Sequence, residues 1–232
     1  MKELIRLKGL DKIYPVGGED FFALKNVALS INEGEFSGLV GPSGSGKTTL
    51  LNIIGALDQP SNGDVFMYDK RVSRIKATLA AQLRLHNFGF IFQTYNLLNV
   101  YSVYENVELP LTLLGWNESR KKKAIQEALE WVGLTDKIKS RPGKLSGGQC
   151  QRVAIARAMV KRPKMVLADE PTANLDSENS HNILKTMEEI NRKTGTTFLF
   201  STHDQKVIDY LSRIISLKDG QVIEDRQQEP KR

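Results

Sequence analysis

The stretch Gly41-Pro42-Ser43-Gly44-Ser45-Gly46-Lys47-Thr48 constrains the fold of this 232-residue chain more than any other. It fits the spacing G-x-x-x-x-G-K-[ST], with the apolar run Phe36 to Val40 before it and Leu50, Leu51, Ile53 and Ile54 at helical spacing after it. Strand, glycine-rich loop and helix in that order form a phosphate cradle: the glycines let successive backbone N–H groups turn inward without side chains in the way. Lys47 then reaches the β/γ-phosphate oxygens, and Thr48 ligates Mg²⁺ with Thr49 beside it in the same turn. The helix from Lys47 points the positive end of its dipole at the same phosphates. The loop alone does not separate a kinase, a GTPase, a helicase and a transport ATPase, so the rest of the chain must decide.

Bulk composition narrows the field. Hydrophobic residues make up 40% and charged residues 26% of the chain, as in a soluble globular protein. No apolar run approaches the ~18 to 20 residues needed to cross a bilayer. The opening Met1-Lys2-Glu3-Leu4-Ile5-Arg6 has no apolar signal region, so a cytoplasmic protein is expected. A single cysteine, Cys150, excludes an internal disulfide and a cysteine-based metal cluster. The net charge of +6 is spread out, apart from Arg120-Lys121-Lys122-Lys123 and the terminal Lys231-Arg232. That distribution suits a solvated basic surface meeting a membrane face or a partner, and no nucleic-acid partner is expected.

In chain order, residues 4–10 and 27–31 alternate as half-buried strands, with Gly17-Gly18 as a turn between them, which predicts an antiparallel sheet ahead of the phosphate loop. Tyr14 is an aromatic ring available to stack on a base or to fill a core. Asp64 to Tyr68 is a further strand, Ser73 to His86 is helix-compatible, and Phe88 to Phe92 is a buried strand ending at Gln93. A Gln at a strand's carboxyl end can hold Mg²⁺ or an attacking water. From Glu105 to Met159 the pattern is helical, including an amphipathic stretch from Arg120 to Val132.

Leu145-Ser146-Gly147-Gly148-Gln149 opens a helix over Cys150 to Val160, with Ser146 as cap and two glycines leaving N–H groups open to an anion. Two such phosphate sites are hard to bring around one nucleotide within a single chain; two chains can do it. Met165 to Glu170 is an apolar strand ending in two carboxylates, placing Asp169 to hold Mg²⁺ through water and Glu170 to polarise the lytic water. Asp176 either contacts a partner or caps the helix Ser177 to Ile190. Thr197 to Ser201 is another buried strand, after which the imidazole of His203 can donate to a γ-phosphate oxygen. Arg213 to Leu217 and Gln221 to Glu224 read as a terminal hairpin, followed by eight polar, loose residues.

Taken together these motifs resemble, end to end, the ATP-binding subunit of an ABC transporter. Gly41 to Thr48 resembles the Walker A motif, Met165 to Glu170 Walker B with its catalytic Glu, and Gln93 the Q-loop residue. Leu145 to Gln149 resembles the signature motif, Asp176 the D-loop residue, His203 the switch histidine, and Tyr14 the aromatic that stacks on adenine. Phe88 to Gln93, Tyr95-Asn96-Leu97-Leu98 and Glu105 to Leu111 are similar to the lipoprotein-release and macrolide-exporter branch, with Cys150 standing where that branch commonly has Gln or Glu.

The resemblance implies an α/β fold. It has a RecA-like P-loop core with an antiparallel β subdomain (approximately residues 1–93 and 161–232) and an inserted helical subdomain (approximately 94–160). It implies ATP and Mg²⁺ as ligands, with Glu170, His203, Lys47 and Gln93 catalytic and Thr48, Gln93 and Asp169 at the metal. Tyr14, Gly41, Pro42, Ser43, Gly44, Ser45, Gly46, Lys47, Thr48 and Thr49 bind nucleotide from one side; Ser146, Gly147, Gly148, Gln149 and Asp176 come from a second copy in an ATP-bound homodimer. A separate integral-membrane permease is the implied partner, with this chain peripheral on the cytoplasmic face of the cell membrane.

Overall fold

A computed structural model describes residues 2–230. Met1 and the basic Lys231-Arg232 singled out above lie outside the described residues. The chain opens with a long hairpin, β1 (Glu3–Val16) and β2 (Glu19–Asn32), whose turn Gly17-Gly18 has φ of 60° and 89°. Two successive left-handed positions are what a tight two-residue hairpin turn demands, and only glycine takes them without penalty. The strands run well beyond the stretches that alternate in the sequence. Register shifts between Leu7 and Leu10, and again on to Ile13, interrupt the period of two without breaking the pairing.

β3 (Phe36–Val40) leads into the phosphate loop and α1 (Lys47–Ile54). β4 (Asn62–Met67) and the short β5 (Lys70–Arg71) return to the hairpin, giving an antiparallel sheet of order β2-β1-β4-β5. α2 (Ala77–Asn87) then feeds β6 (Phe88–Ile91). Next come three helices, α3 (Val103–Leu113), α4 (Glu118–Trp131) and α5 (Gly147–Met159). β7 (Met165–Asp169), α6 (Ser177–Thr194), β8 (Thr197–Thr202), α7 (Gln205–Ile208), β9 (Arg213–Lys218) and β10 (Gln221–Gln227) complete the chain.

The second sheet has the order β10-β9-β3-β8-β7-β6, parallel throughout except for β10. Its central strands are buried on both faces: β8 is buried at every position from Thr197 to Thr202. One apolar cluster lies under α1 and joins the two sheets through Leu4, Leu24, Leu51, Leu167 and Leu199. The other joins α3, α4, α5 and α6 to the opposite sheet face through Val107, Leu129, Ile155, Met187 and Phe198. The helices are therefore anchored to the sheet by a shared core.

Three local expectations are corrected. α5 begins at Gly147 instead of Cys150, because Ser146 and Gln149 form a reciprocal capping box that outweighs the low helix propensity of two glycines. α3 starts at Val103, ahead of Glu105, through the same device at Ser102 and Glu105. Asp225 to Gln227 are not loose. β10 continues to Gln227, and Asp225 accepts from Arg213 Nε at 2.8 Å and Nη2 at 2.7 Å.

Arg213 is only 8% exposed and also donates Nη1 to Glu35 Oε2 at 2.9 Å, so two carboxylates from distant segments surround one guanidinium. Those carboxylates raise its pKa further above the ordinary value, the Asp225 hydrogen bond contributing most. Removing one partner of a buried pair leaves the other charge uncompensated. Arg213→Met is expected to cost about 3–5 kcal/mol of unfolding free energy, read as a shift in the urea midpoint; a variant as stable as the parent would show that this cluster does not fasten β9 and β10 to the core.

Candidate nucleotide site

The carboxyl ends of β3, β7 and β8 converge, and the chain turns there into the phosphate loop, the segment after Asp169 and the segment after Thr202. Together with the hairpin they line a cleft of about 500 Å³ that gathers Tyr14, Phe21, Ala23, Ser43, Gly44, Ser45, Gly46, Lys47, Thr48, Thr49, Gln93, Asp169, Glu170, Ala173 and His203. Ligands in open α/β sheets collect at this end, because the helix N-termini and freed strand-end residues face it.

The loop is shaped for a guest. Gly44 has φ 81° with no atom within 4 Å of where a Cβ would be, and Gly46, at φ 100°, caps α1 in the left-handed region. A Cβ on Gly41 would sit 2.2 Å from Leu217 O, which is why that position is closed to side chains. Ser45 Oγ is buried without a hydrogen-bond partner among the described residues. Lys47 Nζ donates to Gly41 O at 2.7 Å and Pro42 O at 2.9 Å, so its ammonium is held on loop carbonyls. Burial lowers the Lys47 pKa, and the carboxylates of Glu170 and Asp169 work in the opposite direction.

Thr48 Oγ1 lies 3.1 Å from both Asp169 Oδ1 and Oδ2. Among the described residues no cluster of three or more His, Cys, Asp or Glu is placed to hold a metal ion. One hydroxyl and one carboxylate at a phosphate cradle are the sparse oxygen set Mg²⁺ uses when substrate phosphates and water complete its octahedron, so the residues present fit that ion.

Glu170 stands one residue past β7 with φ 45°, a strained position for a non-glycine residue, and its N–H donates to Ser201 O at 2.9 Å. Its carboxylate is held from both sides. Oε1 is 2.6 Å from His203 Nδ1, and Oε2 accepts from Thr202 Oγ1 at 3.2 Å. At the other end of the cleft Tyr14 donates its hydroxyl to Asp58 Oδ2 at 2.8 Å, and the Lys12 ammonium lies 4.8 Å from the ring centroid. Burial, then the Asp58 carboxylate, push the Tyr14 phenol up. Burial would raise Asp58 as well, but hydrogen bonds from Lys12 and Tyr14 outweigh it and hold that carboxyl low.

The remaining expected residues are elsewhere. Gly41 and Pro42 hold Lys47 through their carbonyls without lining the cleft, and Ser146, Gly147, Gly148, Gln149 and Asp176 do not line it either. Ser146 Oγ accepts from Gln149 N at 3.3 Å and Gln149 Oε1 from Ser146 N at 3.0 Å, closing the box on α5. Asp176 caps α6, accepting from Asn179 N at 2.8 Å and Asn179 Nδ2 at 2.6 Å. Asn179 in turn stands against Gly148, where a Cβ would come within 2.7 Å of its Oδ1. The second set is thus a surface of its own, centred on the α5 N-terminus.

Phe21 is a cleft residue that sequence reasoning missed. It lies directly across the hairpin from Tyr14, and its ring is 55% exposed. The available signal was an aromatic pair, Phe21-Phe22, at the mouth of a predicted hairpin. Asp58 and Thr202, which hold Tyr14 and Glu170, reach the site only through tertiary approach.

A parallel sheet with a glycine-rich phosphate loop, a strand-end Asp and Glu, and a histidine on the neighbouring strand's end defines a P-loop nucleotide hydrolase. The chain belongs to the ABC transporter family, whose model matches residues 24–173, and it is an ATPase of that family. It is 43% identical over 217 residues to the lipoprotein-releasing system ATP-binding protein LolD of Idiomarina loihiensis, covering 94% of this chain and 95% of that one. It is 44% identical to the macrolide export ATP-binding/permease protein MacB of Hyphomonas neptunium, over 96% of this chain but only 34% of that longer protein. Among solved structures, an ATP-binding cassette of Methanocaldococcus jannaschii in a dimeric, post-hydrolysis state bound to ADP and Pi superposes with a TM-score of 0.90. It is 40% identical, with 97% of this chain and 99% of that one covered.

Proposed function

We propose that this chain hydrolyses ATP between two copies of itself and passes the resulting motion to a separate membrane permease of the lipoprotein-release or macrolide-export type. The observation that carries the reading is the division of the motif residues into two surfaces. One is the cleft lined by the phosphate loop, Asp169, Glu170 and His203, and the other is the exposed α5 N-terminus with Ser146, which that cleft does not contain. A head-to-tail pair lets the second surface of one copy close the cleft of the other, and the dimeric state of the M. jannaschii cassette supports that arrangement.

In this reading Tyr14 stacks on adenine, while the N–H groups of Gly44 to Thr48 and the α1 dipole hold the β-phosphate. Lys47 exchanges its two loop carbonyls for phosphate oxygens. Thr48, Asp169 and Gln93 would hold Mg²⁺, which supplies neutralisation of phosphate charge when bound. Glu170 accepts a proton from the attacking water. His203 gives up its bond to Glu170 and donates toward the γ-phosphate, and Ser146, Gly147, Gly148, Gln149 and Asp176 act on the nucleotide of the partner copy. Charge and position supply most of the rate, as expected for phosphoryl transfer.

No helix among the described residues is long and apolar enough to span a membrane, which is consistent with a permease on another polypeptide and a peripheral place on the cytoplasmic face of the cell membrane. The helical segment of approximately residues 94–160, with the exposed Leu98, Val100 and Tyr101, is the proposed docking side.

Complementation tests the shared site. Lys47→Ala chains and Ser146→Arg chains are each expected to be inactive alone. Mixed, they form pairs containing one site with an intact phosphate loop from one copy and an intact α5 N-terminus from the other. ATP hydrolysis well above either variant alone is the predicted result; a mixture no more active than its components would contradict a site built from two chains.

A further inference from the structure

Between β6 and α3 the chain makes a loop, residues 92–102, that carries Gln93 into the nucleotide cleft. Tyr95 and Asn96, two residues on, sit consecutively in the left-handed region with φ 61° and 49°. Asn takes that region readily, whereas Tyr pays a Cβ penalty there, so the strain is concentrated at Tyr95. Within the loop Tyr95 N–H donates to Phe92 O at 3.2 Å and Asn96 N–H to Thr94 O at 2.7 Å, and one side chain on a different element holds it from outside. Arg157 of α5 donates Nη1 to Asn96 O at 2.6 Å and Nη2 to Tyr95 O at 2.8 Å. A planar two-pronged donor sets the directions of both bonds at once, which a rotatable ammonium does not. Both acceptors are main-chain carbonyls, so no opposing carboxylate offsets the desolvation; burial lowers the guanidinium's pKa from its ordinary value. A half-buried charge committed to two backbone carbonyls marks a position where loop shape matters.

Arg157 lies about three helical turns along α5 from Gly147. The same helix donates Gln151 Nε2 to Pro171 O at 2.6 Å, one residue past Glu170. The loop is also tied the other way, since Asn174 Nδ2 donates to Gln93 O at 2.9 Å. Its far end is fixed by the buried Asn106, which accepts from Leu98 N at 2.8 Å and donates to Leu98 O, Tyr101 O and Ser102 O.

We infer that Arg157 is a positioning residue that clips the Gln93 loop onto α5, so that Gln93 in a chain's own cleft and Ser146 at the partner's nucleotide move as one body. The inference rests on the two-chain site proposed above. It assigns to Arg157 a link between the two nucleotides of a pair: displacement of Gln93 at one is carried along a rigid helix to the other. Arg157 touches neither nucleotide.

The test compares the parent chain with Arg157→Met, and with Arg157→Met carrying Tyr95→Gly and Asn96→Gly. Glycine takes a left-handed φ without a Cβ penalty, so the loop keeps its path with less need of the clip. Turnover in Arg157→Met is expected to fall at least about tenfold and the Hill coefficient for ATP to drop toward 1, while the affinity of the monomer for ATP stays within about twofold because the phosphate loop is untouched. The glycine pair is expected to recover a substantial part of the lost rate, and Arg157→Lys, whose ammonium lacks the planar fork, to fall between parent and Met.

A Met variant with parental turnover and Hill coefficient would overturn the inference. So would a joint loss of rate and monomer affinity that the glycine pair does not recover, since that assigns Arg157 to folding alone. Sedimentation of the Glu170→Gln parent in ATP separates this inference from its foundation: a parent that never pairs removes both, whereas a parent that pairs alongside an indifferent Arg157→Met removes only the clip.

Discussion

Glu170→Gln is expected to lower ATP turnover by about 10²- to 10⁴-fold, the range general-base catalysis contributes, while leaving nucleotide binding nearly intact. The exchange keeps the size of the side chain and most of its contacts. The backbone bond to Ser201 O is unaffected, and Thr202 Oγ1 can still donate to an amide oxygen at the place of Oε2. What is lost is the capacity to take a proton at the strand end facing the triphosphate cleft. Steady-state phosphate release checks the rate, and nucleotide titration checks the binding. Turnover within tenfold of the parent would move the base away from Glu170.

Gly46→Ala is expected to act earlier, on the cradle itself. At φ 100° a side chain is strained in any surroundings, and here the added Cβ would also stand 2.6 Å from Ala23 O and 2.9 Å from Leu24 Cδ2. The backbone contact cannot be relieved by a rotamer change, so the loop must shift away from β2. With about 1–3 kcal/mol of strain at such a site, ATP affinity should fall roughly 10- to 100-fold. Gly44→Ala is the internal comparison: its φ of 81° carries strain, but nothing lies within 4 Å of the new Cβ. Equal losses for the two variants, measured by nucleotide titration, would show that contact with the hairpin plays no part.

The phosphate loop, the strand-end carboxylates and His203 were legible because each rests on a local pattern: residue type at fixed spacing, at the end of an apolar run. The parallel core strands were visible for the same reason, their burial on both faces leaving continuous apolar stretches such as Phe198-Leu199-Phe200. Where tertiary partners replace local pattern, the signal faded. The last residues of β10, Asp225 to Gln227, are exposed and read as a polar tail, yet they are held by pairing with β9 and by Arg213. Phe21 enters the cleft through its register opposite Tyr14, which bulges in β1 make hard to count from sequence. Asn96 is of a type that takes the left-handed region readily, but nothing local announces Tyr95 beside it there, where Arg157, distant in sequence, donates to both carbonyls.

In the proposed reading the cleft of one chain is completed by the α5 N-terminus of another, so the decisive observation is the state of association. Sedimentation of the Glu170→Gln chain in saturating Mg-ATP, against the same chain in Mg-ADP, tests this directly. A dimer in Mg-ATP and a monomer in Mg-ADP is the predicted result. A chain that remains monomeric in Mg-ATP, with its cleft demonstrably filled by nucleotide, would contradict it.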